Sequence, residues 1–64
     1  MTQKELLYVE DAIGHEQIII KLCNDMINNI TDDNLISFMK KQERKHTNML
    51  DYLLDLLEDE THEW

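Results

Sequence analysis

The chain has no proline, one glycine and one cysteine among its 64 residues. With so few helix breakers and many good helix formers, it is expected to be all-α, and no sheet is expected. A single cysteine excludes a disulfide scaffold within one copy. Because Cys23 falls on an apolar helical row, we interpret it as a small buried thiol rather than a reactive one.

Positive charge is also scarce, since 6 Lys and Arg stand against 14 Asp and Glu, which gives a net charge of −8 at pH 7. An acidic chain is a poor partner for nucleic acid or for an anionic membrane surface, and it suits cation binding. No apolar run approaches the length of a membrane span, and the first residues lack the layout of a signal peptide. We therefore expect a cytoplasmic protein that binds neither nucleic acid nor membrane.

Local signals predict a single domain, residues 1–64, that contains two helices. Thr2 followed by Glu5 has the pattern of a capping box and predicts a helix from about residue 3 to about residue 28. Asn28 or Asn29 is expected to end this helix in the left-handed conformation, with a turn at about 29–33. A second helix is expected at about 33–58, followed by a loose acidic tail at 59–64, where acids oppose the helix dipole.

Each predicted helix carries an apolar row with alternating 3-4 spacing, and residue types that bind metals interrupt both rows. The interruption is Glu16 in the first helix, and it is Glu43 and His46 in the second. Side chains three residues apart project from one helix face and can converge on one ion. The rows are Leu6, Val9, Ile13, Glu16, Ile20, Cys23, Ile27 and Ile30, and then Ile36, Met39, Glu43, His46, Leu50, Leu53 and Leu57.

Two such helices joined by a short turn form an antiparallel hairpin. Glu16 and His46 each lie fifteen residues from a turn centred near residue 31, so we expect them at one level, with Glu43 about one turn away. Each helix also has a second apolar row, which a chain this short would leave exposed as a monomer. We therefore predict a homodimer in which two hairpins complete a four-helix bundle. The second rows are Leu7, Ile18 and Leu22, and then Leu35, Phe38, Met49, Leu54 and Leu56.

Twofold symmetry would place four carboxylates and two imidazoles, from two copies of Glu16, Glu43 and His46, at the centre of this bundle. Carboxylates can bridge two nearby cations and compensate their charge, and each imidazole adds one neutral donor. Oxygen donors with one nitrogen per metal favour Fe(II) or Mn(II), with zinc as an alternative.

One Glu on the first helix and Glu-x-x-His on the second resemble the ligand pattern of the ferritin-like di-iron carboxylate proteins, which include ferritins and rubrerythrins. The string Ala12-Ile13-Gly14-His15-Glu16-Gln17 is also similar to the first helix of short ferritin-like proteins of spore-forming bacteria, some of them coat-associated. The resemblance runs from about residue 5 to about residue 58. Proteins of this family use two such helix pairs in one bundle, so a half-length chain would need a dimer.

This resemblance implies that Glu16, Glu43 and His46 are the metal ligands and that each dimer holds two iron ions. It also implies a reaction with dioxygen or peroxide, by Fe(II) oxidation or peroxide reduction, although a storage or structural protein could keep the same ligands. The spore coat is then an alternative location to the cytoplasm.

The alternative prediction is a structural or coat-associated helical bundle in which a Glu16–His46 polar network sets the register, with or without metal. A third reading is a hairpin that completes a bundle with a different protein.

Gln42 could orient a ligand from the inward face. His15 and Gly14, beside Glu16, are each read either as part of the site's surroundings or as surface positions. Tyr8 and Tyr52 are expected to pack in the core rather than bind a ligand, and Lys40, Lys41, Arg44 and Lys45 form a basic cluster on the outer face.

Overall fold

The computed structural model describes the backbone of residues 1–62 and the side chains of residues 1–60. Helix α1 spans Gln3–Asn29 and helix α2 spans Asp33–His62, and the described residues contain no strand. The two helices pack along their length as an antiparallel hairpin whose extents are 48 × 14 × 12 Å. The predicted all-α hairpin is confirmed.

The start of α1 is fixed by the predicted capping box. The backbone N–H of Glu5 donates to the Thr2 hydroxyl at 3.1 Å, and the backbone N–H of Thr2 donates to the Glu5 carboxylate at 2.7 Å. These two bonds satisfy donors that the first turn of a helix leaves without partners. At the start of α2, the Asp32 carboxylate accepts from the backbone N–H of Leu35 at 2.8 Å and caps that helix.

The end of α1 differs from the expectation of a left-handed asparagine. No non-glycine residue has a positive φ in the part of the chain that the structure describes. The helix instead ends on Ile30, which is extended (φ −109, ψ 155) and donates its N–H to the Met26 carbonyl at 3.0 Å. The Asn29 side-chain amide donates to the Asp25 carbonyl at 2.6 Å, so the asparagine satisfies an end carbonyl through its side chain rather than through its backbone conformation.

The expected loose tail from residue 59 is also corrected, because α2 continues to His62. The first residue of the chain contacts these last turns. The terminal amino group of Met1 lies 2.6 Å from the Glu60 carboxylate, and this ion pair compensates the acidic charge that was expected to fray the last turns. The remaining tail positions, Glu63 and Trp64, lie outside the described residues.

The interior of the hairpin is thin. Of the described residues, only Ile13 (9% exposed) and Cys23 (4% exposed) are buried, and both lie on the predicted α1 row. Cys23 is therefore a buried free thiol, as expected. Gly14 has open space around it, since a Cβ built there meets no atom within 4 Å. That finding favours the interpretation of Gly14 as a tolerated surface glycine in the hairpin.

Candidate metal-ligand pair and the two sides of the hairpin

Glu16 of α1 and His46 of α2 meet across the hairpin. The Nδ1 atom of His46 lies 2.5 Å from Oε2 of Glu16, although thirty positions separate the two residues in the chain. Both side chains are mostly shielded from solvent, with exposed fractions of 16% for Glu16 and 26% for His46. The antiparallel register brings them together, and the prediction that they lie at one level is confirmed.

This contact is a short hydrogen bond between a carboxylate and an imidazole. When Nδ1 carries a proton, His46 donates to Glu16, and the ring's other nitrogen stays available for a second partner. Carboxylate oxygen and imidazole nitrogen are also the donor types that first-row divalent metals accept together. The pair can therefore act either as a closed polar contact or as two of the ligands of one ion.

Glu43 does not join this pair within one copy. Its carbonyl accepts a hydrogen bond from the Thr47 hydroxyl at 2.7 Å. Glu43 also lines an open groove of about 400 Å³, together with Asn24, Ile27, Lys40, Arg44, Thr47 and Asn48. Within the described part of the chain, no three or more His, Cys, Asp or Glu side chains are grouped closely enough to hold a metal ion. One hairpin thus brings together two of the three predicted ligands.

Helix geometry explains where Glu43 lies. At about 100° per residue, Glu43 and Gln42 are placed to the two sides of His46 on α2. His46 points into the seam between the helices, where it contacts Glu16, so Glu43 is turned towards the groove and Gln42 towards the opposite side. We call the side of the hairpin that carries the groove and Glu43 the groove side.

The opposite side of the hairpin is apolar, and we call it the apolar side. Its most exposed members are Tyr8 (61%) and Leu22 (57%) on α1, with Phe38 (55%), Met49 (47%) and Tyr52 (60%) on α2. Tyr8 and Tyr52 are therefore not packed in a core within a single hairpin, and their packing in the predicted dimer stays a prediction. Less exposed residues complete the apolar side, namely Ala12, Ile19 and Met26 on α1 and Leu35 and Leu56 on α2.

The α2 part of the apolar side has a spacing that is visible in the sequence. Leu35, Phe38, Gln42, Lys45, Met49, Tyr52 and Leu56 follow one another at alternating intervals of three and four. This is the spacing of a helix–helix contact, and it runs beside the row that contains Glu43 and His46. Sequence reasoning grouped most of these apolar residues as a flanking row but did not find that they and Glu43 lie on opposite sides.

Comparisons of the chain with protein-family models, with curated proteins and with solved structures gave no match. The resemblance to ferritin-like proteins therefore stands on the residue pattern alone. Among the described residues, neither helix is long and apolar enough to cross a membrane.

Proposed function

We propose that this chain is a ferritin-like metal-binding half-bundle, in which two copies together hold a pair of divalent cations. The observation that carries the proposal is the Glu16–His46 contact, with Nδ1 and Oε2 2.5 Å apart. A carboxylate and an imidazole occupy the centre of an otherwise apolar seam at matching levels, where a hydrophobic pair would pack without the desolvation cost of an ion pair. Metal binding would explain why a carboxylate and an imidazole occupy this position.

The donor set fits such an ion in part. Glu16 and His46 supply one oxygen and one nitrogen donor that already lie together, whereas Glu43 is one helical turn away and turned towards the groove. A hairpin alone therefore offers too few ligands, and a second copy must supply the rest. Fe(II) is the cation that we propose first, with Mn(II) and Zn(II) as alternatives, because oxygen donors with one nitrogen per metal suit all three.

A bound iron pair would supply electron transfer to dioxygen or to peroxide. The role of the chain would be to hold the ions through Glu16, His46 and Glu43. The apolar residues next to the pair along the seam, including Ile13, would exclude water.

The test is the metal content of the protein together with binding by calorimetry. Purified protein is titrated with Fe(II) without oxygen, and with Mn(II) and Zn(II). We expect about one metal per chain in the wild type and a loss of at least tenfold in affinity in Glu16→Ala and His46→Ala. Glu10→Ala is the matched control, because Glu10 is an exposed carboxylate of α1, and it should bind like the wild type. Equal binding by all four proteins would contradict the proposal.

A structural helical bundle is the second candidate, and one observation favours it. Glu16 and His46 already satisfy each other by a hydrogen bond, and the described residues place no third ligand beside them. In that case the pair would fix the register of the hairpin, as buried polar residues do in some coiled coils. Replacing both residues by leucine should then raise the melting temperature of metal-free protein, whereas a metal-binding protein should lose its stabilisation by added metal.

A further inference from the structure

The apolar side is large for a chain of this size. At about 200 Å² for each large side chain, Tyr8, Leu22, Phe38, Met49 and Tyr52 together expose roughly 550 Å². A standard interface buries about 800 Å² on each partner, and about two thirds of it is apolar in homodimers. The exposed area thus matches what a stable homodimer needs, while the hairpin by itself buries only Ile13 and Cys23 among its described residues.

The distribution of polar residues on this side indicates what kind of partner covers it. Gln42 and Lys45 interrupt the α2 row, and His15 lies at the same level on α1, close to the Glu16–His46 pair. Apolar residues lie both towards the turn and towards the open end of the hairpin. The apolar side is therefore ordered as apolar, polar and apolar along its length.

This order is the same when it is read from either end, so two copies that run in opposite directions place like residues opposite each other. When a second copy is placed antiparallel about a twofold axis at the polar level, polar residues meet polar residues, and the long Lys45 side chains can turn their ammonium groups to solvent rather than towards each other. Phe38 and Leu22, on the turn side of that level, then lie opposite the partner's Met49, Tyr52 and Tyr8. An isologous contact of this kind closes on itself and leaves no further copy of the face exposed.

We propose that the apolar side binds a second copy of this chain in an antiparallel, twofold arrangement that forms without metal. Glu43 lies on the opposite side of the hairpin, so this contact does not depend on a metal ion bound by Glu43. This contact is separate from the one that would complete the proposed metal site, because Glu43 faces away from it, and it stands whether or not the protein binds metal.

The first test is sedimentation equilibrium of the wild-type chain in EDTA. We expect twice the mass of the chain at micromolar concentration. The double variant Phe38→Glu/Met49→Glu should raise the dissociation constant at least a hundredfold. Leu54→Glu is the matched control, because Leu54 is a 41% exposed leucine that helix geometry places on the groove side, and it should leave the mass unchanged. A monomeric wild type, or equal dissociation in both variants, would overturn the proposal.

Because the loss of association can also unfold the chain, a second test uses cross-linking and keeps the hairpin intact. In a Cys23→Ala background, Lys45→Cys places a thiol at the proposed axis, and Arg44→Cys places one on the groove. A short thiol-specific cross-linker should join Lys45→Cys chains into dimers at least tenfold faster than Arg44→Cys chains, in EDTA. Equal rates would overturn the proposed contact. A metal-free dimer that binds no metal would contradict the proposed function alone, whereas a monomer that dimerises only with metal would contradict this inference alone.

Discussion

The two sides of this hairpin differ in chemistry although they come from neighbouring positions of the same helices. The apolar side exposes large side chains such as Leu22 and Phe38, whereas the groove side is lined by Asn24, Glu43 and Thr47. The seam between them contains Glu16 and His46 in contact. The difference shows that the large exposed apolar residues and the third predicted ligand, Glu43, lie on separate sides of the hairpin. The proposed association and the proposed metal site can therefore be tested separately.

The largest effect that would test this separation is expected in the seam. In EDTA, Glu16→Ala should lower the free energy of unfolding by about 1–2 kcal/mol, because it leaves the shielded His46 ring without its partner. We choose the lower part of the range for broken polar pairs because both side chains remain partly exposed. Urea unfolding followed by circular dichroism measures the change.

Glu43→Ala is the matched control for this substitution, because it removes a carboxylate from the groove side. It should stay within about 0.5 kcal/mol of the wild type. A double-mutant cycle of Glu16→Ala with His46→Ala should show coupling, whereas a cycle of Glu43→Ala with His46→Ala should not. Coupling of similar size in both cycles would mean that Glu43 belongs to the same polar group, and the separation of the two sides would fail.

Neighbouring positions offer a second way to sharpen the comparison, since Gln42 and Glu43 lie to the two sides of His46. Gln42→Leu removes a polar residue from the middle of the apolar row and should tighten the dimer about fivefold to tenfold, or about 1 kcal/mol. Glu43→Leu adds the same side chain on the groove side and should change the dissociation constant by less than about twofold. Sedimentation equilibrium of both variants in EDTA measures the two dissociation constants. A larger gain for Glu43→Leu would place the association on the groove side.

Several features of the fold could be predicted from local sequence signals. The Thr2–Glu5 capping box, the short turn and the level match of Glu16 with His46 follow from spacing alone, because each depends on helix period and chain length. The end of α1 could not be predicted as reliably, because an asparagine can satisfy a terminal carbonyl either by its backbone conformation or by its side chain. Asn29 uses its side chain, which bonds to the Asp25 carbonyl.

Features that depend on distant parts of the chain were harder to predict. The extension of α2 to His62 accompanies an ion pair between Met1 and Glu60, and no local signal near residue 60 reports that partner. The position of Glu43 shows a different limit. Its spacing from His46 is correct for a shared ion, but a 3-4 row is broad enough to include positions on both sides of the seam. Only the packing of α1 against α2 decides which side each position faces.

The smallest expected effect lies in the capping box at the start of α1. The hydrogen bond that the Thr2 backbone N–H donates to the Glu5 carboxylate is the largest cause that holds the pKa of Glu5 below its ordinary value of 4.5, with the Thr2 side chain second. The folded chain therefore binds this proton more weakly than the unfolded chain does. The stabilisation is fully present above pH 4.5 and is lost as the pH falls through the lowered pKa.

Glu5→Gln tests this effect. Its melting temperature should lie slightly below that of the wild type at neutral pH, and the difference should shrink as the pH falls below 4.5. Carboxyl NMR of the wild type measures the Glu5 pKa directly. The same small shift should appear when Glu5→Gln is combined with Gln42→Leu or with Glu43→Leu, because the capping box lies several helical turns from both substituted positions. A shift that depended on Gln42 would show that the start of α1 takes part in the association, and the apolar side would then have to extend to the end of the hairpin.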